Sequence, residues 1–389
     1  MTHVSYSHIA AQFSERIRVA TDAGTPLRLR GGGTKDWYGQ SLNGEVFDTR
    51  AYAGVVSYEP TELVITARCG TPLAEIEALL AQHHQMLAFE PPRYGAASTI
   101  GGVVASALSG PRRASAGAVR DFVLGAVLMD GHGEALRFGG QVMKNVAGYD
   151  VSRLLAGSLG TLGLILEVSL KVLPVPVREA SLRFEMSEID ALRHLNEWAG
   201  QPLPISASCW HQGVLTLRLS GAEAAVAAAQ RKLGGAPLQD AAAFWTSLRD
   251  QTHSHFDGGA LWRLSVPPAA SAIILRGEQL IEWGGAQRWL KVEAADAEQV
   301  VGQAAGQAAG PAGGHAACQA GGQAGGQVTE QASGIRRTVA AAGGHATLFR
   351  GGDKNVGVFH PLASAVAKIH ERLKQSFDPA GIFNPGRMY

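Results

Sequence analysis

Three glycine-rich stretches hold the residues whose types and spacing suit chemistry. In RLRGGGTKDWYG, residues 28–39, Gly31, Gly32 and Gly33 follow a short strand-like segment and are flanked by Arg30, Thr34 and Lys35. Glycine is entropically costly inside a fold, so a run of three at a strand end implies special backbone angles or a close neighbour against bare amides. Two phosphate cradles fail on spacing. A Walker A loop needs Lys then Ser or Thr after its last glycine, whereas Thr34 precedes Lys35 and Asp36 follows. The G-x-G-x-x-G fingerprint fits Gly31 and Gly33 but meets Asp36 at its third glycine, with no amphipathic helix after it. What remains is a nest of consecutive backbone N–H groups with cations beside it, suited to a diphosphate. Taken alone, the loop is equally a tight turn without a ligand. A second stretch, PPRYGAASTIGGVVASALSGPRR (91–113), mixes Gly95, Gly101, Gly102 and Gly110 with Ser98, Thr99, Ser106 and Ser109; a third, GSLGTLGLI (157–165), spaces Gly157, Gly160 and Gly163 before a strand. Small residues and hydroxyl donors let a backbone lie flat against a bulky ligand. Reading all three as unrelated turns needs three coincidences.

The elements that must position these loops follow from pattern and composition. At 389 residues the chain exceeds the ~250–300 residues at which single cores stop growing, so two domains are expected. With 46% apolar and 17% charged residues it has material for a core, and 34 basic against 33 acidic side chains leave no field to draw nucleic acid. Three cysteines, Cys69, Cys209 and Cys318, lack C-x-x-C spacing, which fits neither a disulfide framework nor a zinc site. The N-terminus lacks a secretion pattern and no window is apolar enough to span a membrane, so a cytoplasmic protein is expected.

Residues 5–23 read as a helix and PLRLRG as a strand entering the first glycine loop. Two β-branched segments precede TPLAEIEALLAQHHQ, where Thr71 suits an N-cap, Pro72 the first helical position, and Leu73, Ile76, Leu79 and Leu80 one face. FVLGAVLMDGHGEALRFGG reads as a hairpin about DGHG. LILEVSLKV alternates, placing Leu166, Val168, Leu170 and Val172 inside and Glu167, Ser169 and Lys171 outside. The prolines at 174 and 176 mark a domain boundary, and strands and helices from 180 onward suggest an antiparallel α+β sandwich. Residues 302–327, almost wholly Gly, Ala and Gln, show no apolar face and are expected to be flexible.

Five motifs in order, RLRGGGTK, EPPRYGAASTIGGVVAS, AVRDFVLGAVLMDGHGE, GYDVSRLLAGSLGTLGLILEVSLKVLP and FDPAGIFNPGRMY, resemble the FAD-binding (PCMH-type) domain of the vanillyl-alcohol oxidase superfamily. Within it the chain is most similar to the E-subunit family of bacterial three-subunit glycolate oxidase. The resemblance implies an α+β fold: a two-part FAD-binding domain over 1–177, an antiparallel α+β cap over 178–300, a flexible Gly/Ala/Gln insertion over 301–335, and a return through the cap to the FAD domain over 336–389. It implies non-covalent FAD held at Arg30, Gly31, Gly32, Gly33, Thr34 and Lys35, beside Pro91, Thr99, Gly101, Gly102, Ser106 and Gly110, with Gly163 and Ile165 at the adenine end and Asn384 and Arg387 in the returning tail. No histidine stands where relatives attach FAD covalently, and His83 and His84 fall on the polar side of their helix.

Catalysis is less well marked. The H-x-G-D-G-N-x-H segment by which D-2-hydroxyacid dehydrogenases of this superfamily gather histidines and a metal is absent. His253 and His255 in QTHSHF lack its partners, so a polar loop is expected there and no metal ligand is assigned. Arg263 and Arg350 are candidates for a substrate carboxylate and His360 for a base, with ordinary salt-bridged or surface roles as the alternative. The resemblance implies a subunit acting on glycolate beside a related flavoprotein subunit and an iron–sulfur subunit. It implies no nucleic-acid partner and no membrane span, with peripheral attachment through the complex left open. A free-standing 2-hydroxyacid dehydrogenase and a non-redox assembly module are the other readings.

Overall fold

A computed structural model describes residues 2–140, 150–293 and 316–388. The chain divides into two units, one of Met1–Arg178, Ala242–Gln251 and Pro361–Tyr389, the other of Glu179–Ala241 and Thr252–His360. The cap expected as one span over 178–300 therefore gives up a helix to the first unit. There the Arg93 amide donates to the Asp250 carboxylate at 3.1 Å, a contact between distant positions that no local pattern reveals.

In the first unit a helix, Thr2–Ala23, precedes β1 (Leu27–Arg30), which pairs in parallel with β2 (Glu45–Asp48). β3 (Val55–Glu59) and β4 (Val64–Arg68) lead to the helix Leu73–Gln82, which buries Leu73, Ile76 and Leu80 as the periodicity predicts. Its N-cap is Pro72 rather than Thr71. The Thr71 hydroxyl is engaged elsewhere, donating to the Arg68 carbonyl at 2.7 Å and accepting from the Gly54 amide at 2.9 Å. His83 caps the helix and His84 follows at φ 51°, past its end rather than on its polar side.

β5 (Gln85–Met86) and the helix Ile100–Ser106 come next, then the expected hairpin of β6 (Val123–Met129) and β7 (Ala135–Gly139), whose turn is held by Asp130 accepting from the amides of His132 and Glu134. β8 (Leu164–Lys171) lies between β4 and β6 in the antiparallel order β3-β4-β8-β6-β7, and β9 (Leu173–Pro174) pairs with β5.

The alternation read along β8 breaks. Val127 faces Glu167 while the next residue, Leu128, faces Ile165, so Leu166 is an extra residue on β8. Leu164 and Leu166 therefore join Phe13, Ile17 and Phe47 in one core, whereas Ile165, Val168, Leu170 and Val172 join Ile76, Leu80 and Val103 in another. As a central strand β8 is covered on both faces, which buries Ser169, expected outside, against the Thr66 hydroxyl at 2.8 Å.

The second unit carries an eight-stranded sheet ordered β13-β10-β12-β11-β15-β16-β14-β17. Its strands are β10 (Arg178–Glu185), β11 (Ile205–His211), β12 (Val214–Gly221), β13 (Ala236–Pro237), β14 (Ala260–Ser265), β15 (Glu278–Glu282), β16 (Gln287–Val292) and β17 (His345–Arg350). Helices Glu188–Ala199, Glu223–Leu233 and Ala316–Ala341 accompany it. The last corrects the expected flexible insertion over 301–335. Residues 301–315 lie outside the described residues, but the chain is helical from Ala316, and Ala332, Ile335 and Val339 share a core with Leu264, Leu290 and Leu348. The apolar face begins only beyond the Gly/Ala/Gln run, so the run alone conceals the helix.

The tail returns to the first unit. After the helix Ser364–Phe377, the Asp378 carboxylate accepts from the amides of Ile382 at 3.0 Å and Phe383 at 2.8 Å and from Lys374 Nζ at 2.6 Å; the same ammonium donates to the Thr161 carbonyl at 2.9 Å. The Asp378 side chain is fully buried. Truncating one partner of such a pair strands the other. Asp378→Ala is expected to lower unfolding free energy by about 3 kcal/mol, read as a shifted midpoint in urea denaturation, with Lys374→Met destabilising in the same direction.

Candidate functional site

β1 delivers Arg30 into the glycine loop, and the reason for each glycine can be read separately. A methyl on Gly31 would stand 2.4 Å from Thr99 Oγ1 and one on Gly32 1.6 Å from the Ala97 carbonyl oxygen, while Gly33 has φ +70°. Two glycines thus answer to the 97–99 segment crossing the loop, the third to backbone angle. Reciprocally, a methyl on Gly101 would lie 2.7 Å from Cys69 Cβ and 2.9 Å from its carbonyl oxygen. The two glycine segments are fitted to the chain around them as well as to any ligand.

The loop's polar groups are divided between structure and vacancy of partner. Asp36 holds the Arg28 guanidinium and, at 2.8 Å, Arg30 Nε. Arg387 from the tail donates to the carbonyls of Gln40 at 2.5 Å and Asp36 at 3.0 Å, and Asn384 accepts from the Leu29 amide at 2.9 Å while donating to the Leu159 carbonyl at 2.6 Å. Burial holds the Arg387 guanidinium down to about 10, so it stays charged at neutral pH. By contrast, among the described residues the four consecutive amides of Gly32, Gly33, Thr34 and Lys35 make no hydrogen bond within the protein. Lys35 Nζ donates to Ser98 Oγ at 3.0 Å beside this row. Burial pushes its ammonium down to about 8.

These groups line a cleft with two adjoining lobes. Arg30, Gly31, Gly32, Gly33, Thr34, Lys35, Thr99, Gly101, Gly102, Ser106, Gly163, Ile165 and Asn384 all contribute to its walls. Pro91 and Gly110 do not. Gly110 is needed for packing instead, since a methyl there would meet the Glu90 carbonyl oxygen at 2.5 Å. The motif reading missed Leu29, Leu159 and Leu164, whose apolar side chains read like core; Gly160, quoted in the third stretch without an assigned role, also lines the cleft, with φ +72° and Asn384 Nδ2 close to it. A row of unpaired amides, an adjacent cation and walls in which added methyls would clash suit a diphosphate joined to flat rings. No histidine lines the cleft among the described residues.

The candidate catalytic residues lie in the second unit, each hydrogen-bonded within the fold. Arg263 Nε donates to Gln287 Oε1 at 2.7 Å with its guanidinium 5.3 Å from the Trp283 ring centre, and Arg350 Nη2 donates to the Phe256 carbonyl at 2.8 Å. His360 Nδ1 accepts from the Ala346 amide at 3.4 Å, and burial followed by the Arg336 charge lowers its pKa. These are structural engagements. The expected polar loop at QTHSHF also fails in part: His255 is 1% exposed and lies beside His211 and Glu278. Burial, then the neighbouring His211, push the His255 imidazole down to about 4; Glu278 is raised by burial, but hydrogen bonds from Lys291, His211 and Gln212 hold it at about 2.

Comparison with known proteins bears on the same residues. The family described as FAD binding domain matches residues 3–139. Glycolate oxidase subunit GlcE of Escherichia coli K12 is 46% identical over 376 residues, 96% of each chain. Glycolate oxidase subunit GlcD of Bacillus subtilis 168 is 30% identical over 46% of this chain and 38% of its own length. Among solved structures, alkyldihydroxyacetonephosphate synthase superposes with a TM-score of 0.60 at 15% identity, covering 96% of this chain and 73% of that one, a likeness of fold.

Two outcomes follow for the cleft. Gly32→Ala forces the 97–99 segment outward, a cost of about 2 kcal/mol, so FAD affinity measured by fluorescence titration should fall about 30-fold; Gly140→Ala, with open space at its Cβ, should leave it unchanged. A diphosphate beside Lys35 favours its charged form, so binding takes up a proton wherever free Lys35 is neutral. FAD affinity is therefore level below pH 8 and weakens as pH rises through about 8, and Lys35→Met removes that pH dependence while weakening binding throughout.

Proposed function

The chain belongs to the GlcE family of glycolate oxidase subunits, and on that premise we propose that it is the FAD-carrying subunit of a glycolate oxidase complex, taking part in the oxidation of glycolate to glyoxylate. The observation that carries the reading is the row of four unpaired amides ending at a half-buried lysine. The amides of Gly32 to Lys35 and the Lys35 ammonium would hold the pyrophosphate. The backbone at Gly101, Gly102, Gly160 and Gly163 and the side chains of Leu29, Leu159, Leu164 and Ile165 would line its flat parts and exclude water. Bound there, FAD supplies a hydride acceptor that also passes electrons on singly. A cleft without a lining histidine supports dissociable rather than covalent FAD.

The chain's own part is binding and orientation. Among the described residues of its second unit, Arg263, Arg350 and His360 are each hydrogen-bonded within the fold. Substrate oxidation is accordingly assigned to a related flavoprotein subunit. Three cysteines without cluster spacing give no iron–sulfur ligand set, so reducing equivalents leave for another chain, an iron–sulfur subunit in this reading. No helix among the described residues is long and apolar enough to cross a membrane. We place the subunit in the cytoplasm, with membrane attachment supplied by the complex.

An anaerobic visible spectrum of the purified chain, taken before and after glycolate, tests this. Flavin bands that persist with glycolate alone and bleach once the partner subunits are added are expected. Bleaching by glycolate alone would make the chain a complete dehydrogenase and overturn the subunit reading. Failure to take up FAD even in the assembled complex would make it a non-redox assembly module.

A further inference from the structure

We propose that His211, His255 and Glu278 bind one divalent transition-metal ion of the Zn²⁺ class in the second unit; none of the three lines the flavin cleft. One donor atom from each of the three lies within 4.8 Å of the others. His211 Nε2 is 2.7 Å from Glu278 Oε1, and His255 Nδ1 is 3.8 Å from Glu278 Oε2. None of the three stands in an H-x-G-D-G-N-x-H segment, which the chain lacks.

The independent sign of a missing ligand is His255 itself. Its side chain is fully buried, yet neither ring nitrogen has a hydrogen-bond partner among the described residues. An unpaired buried polar atom costs about 1–3 kcal/mol, and here one imidazole carries two. An ion between the three side chains would satisfy the nitrogen that faces them.

The supports are rigid. His211 ends β11 opposite Leu280 of β15, and Glu278 opens β15 opposite Lys291 of β16. His255 sits in the short turn Ser254–Phe256, whose last carbonyl is held by Arg350 at 2.8 Å and whose start is capped by His253 accepting from the His255 amide at 3.2 Å. The carboxylate is oriented from behind, with Lys291 Nζ 3.0 Å from Oε2 and Gln212 Nε2 2.7 Å from Oε1, as ligating carboxylates usually are. Two imidazoles and a carboxylate favour Zn²⁺ over Ca²⁺ or Mg²⁺ and leave a fourth tetrahedral position for water. Tetrahedral bonds of about 2.0–2.2 Å set ligand atoms roughly 3.4 Å apart, so the His211–Glu278 pair at 2.7 Å opens and the His255 nitrogen at 3.8 Å moves in.

The test uses the full chain stripped with a chelator and titrated with Co²⁺, followed by Zn²⁺. One Co²⁺ per chain is expected, with the intense visible bands of a four-coordinate ion, displaced by Zn²⁺. His255→Gln and Glu278→Gln should each weaken binding at least ~100-fold while flavin content stays unchanged. His211→Asn, at a more accessible position, gives the same readout if His255→Gln fails to fold. His345→Asn, outside the cluster, should bind as the wild type does. No stoichiometric binding, or binding that survives all three substitutions, overturns the site.

Discussion

The structure of the first unit depends on one close crossing, the passage of the Ala97 carbonyl over Gly32, where a methyl would stand 1.6 Å from the oxygen. That approach fixes the 31–33 loop against the segment leading to the helix Ile100–Ser106. Beside it, the amides from Gly32 to Lys35 have no internal partners among the described residues. The tail completes the arrangement. Asn384 and Arg387 consume the Leu29 amide and the carbonyls of Asp36 and Gln40, which leaves the amides of Gly32 to Lys35 as donors without internal partners among the described residues. A row of consecutive N–H groups without internal partners, half-exposed at the cleft wall, is an anion-binding nest, and that is the physical content of calling the cleft a binding site.

The glycine loops were legible in the sequence because what they signal is local: a missing Cβ, a positive φ, a row of bare amides. Fourteen of the assigned positions, Arg387 among them, line the cleft, whereas Pro91 and Gly110 belong to the same quoted motif without reaching it. A motif fixes a path of chain, and Gly110 serves that path by clearing the Glu90 carbonyl. Leu29, Leu159 and Leu164 escaped because an apolar wall and an apolar core are built from the same side chains. The reversal at Leu166 escaped for another reason. A single extra residue exchanges the faces of a strand, and nothing in LILEVSLK distinguishes it from an unbroken alternation. The helix from Ala316 was hidden by composition, since Ala332, Ile335 and Val339, which join it to a core, stand after the Gly/Ala/Gln run in the chain.

The second unit shows how burial of polar groups separates structural roles from binding ones. Arg288, fully buried, spends its guanidinium on the carbonyls of Ala270 at 2.7 Å, Ser271 at 2.9 Å and Gly285 at 3.4 Å. Glu282, also buried, accepts from Trp289 Nε1 at 2.7 Å and Gln287 Nε2 at 3.1 Å. Arg263 and Arg350, half-buried, are tied more lightly, Arg263 through Nε to Gln287 and Arg350 through Nη2 to the Phe256 carbonyl. Each of these residues looked reactive by type and is inert by engagement.

His255 is the exception that this pattern makes informative. It is as buried as Arg288, within reach of a carboxylate and another imidazole, yet its ring nitrogens are unpartnered among the described residues. In a unit where Arg288 and Glu282 find several partners each, such an omission has to be offset by something outside the chain. The same logic governs the amides of Gly32 to Lys35 in the first unit. In both places the functional signal is an unpaired group in a setting that pairs its neighbours, and residue type alone would have ranked the arginines first.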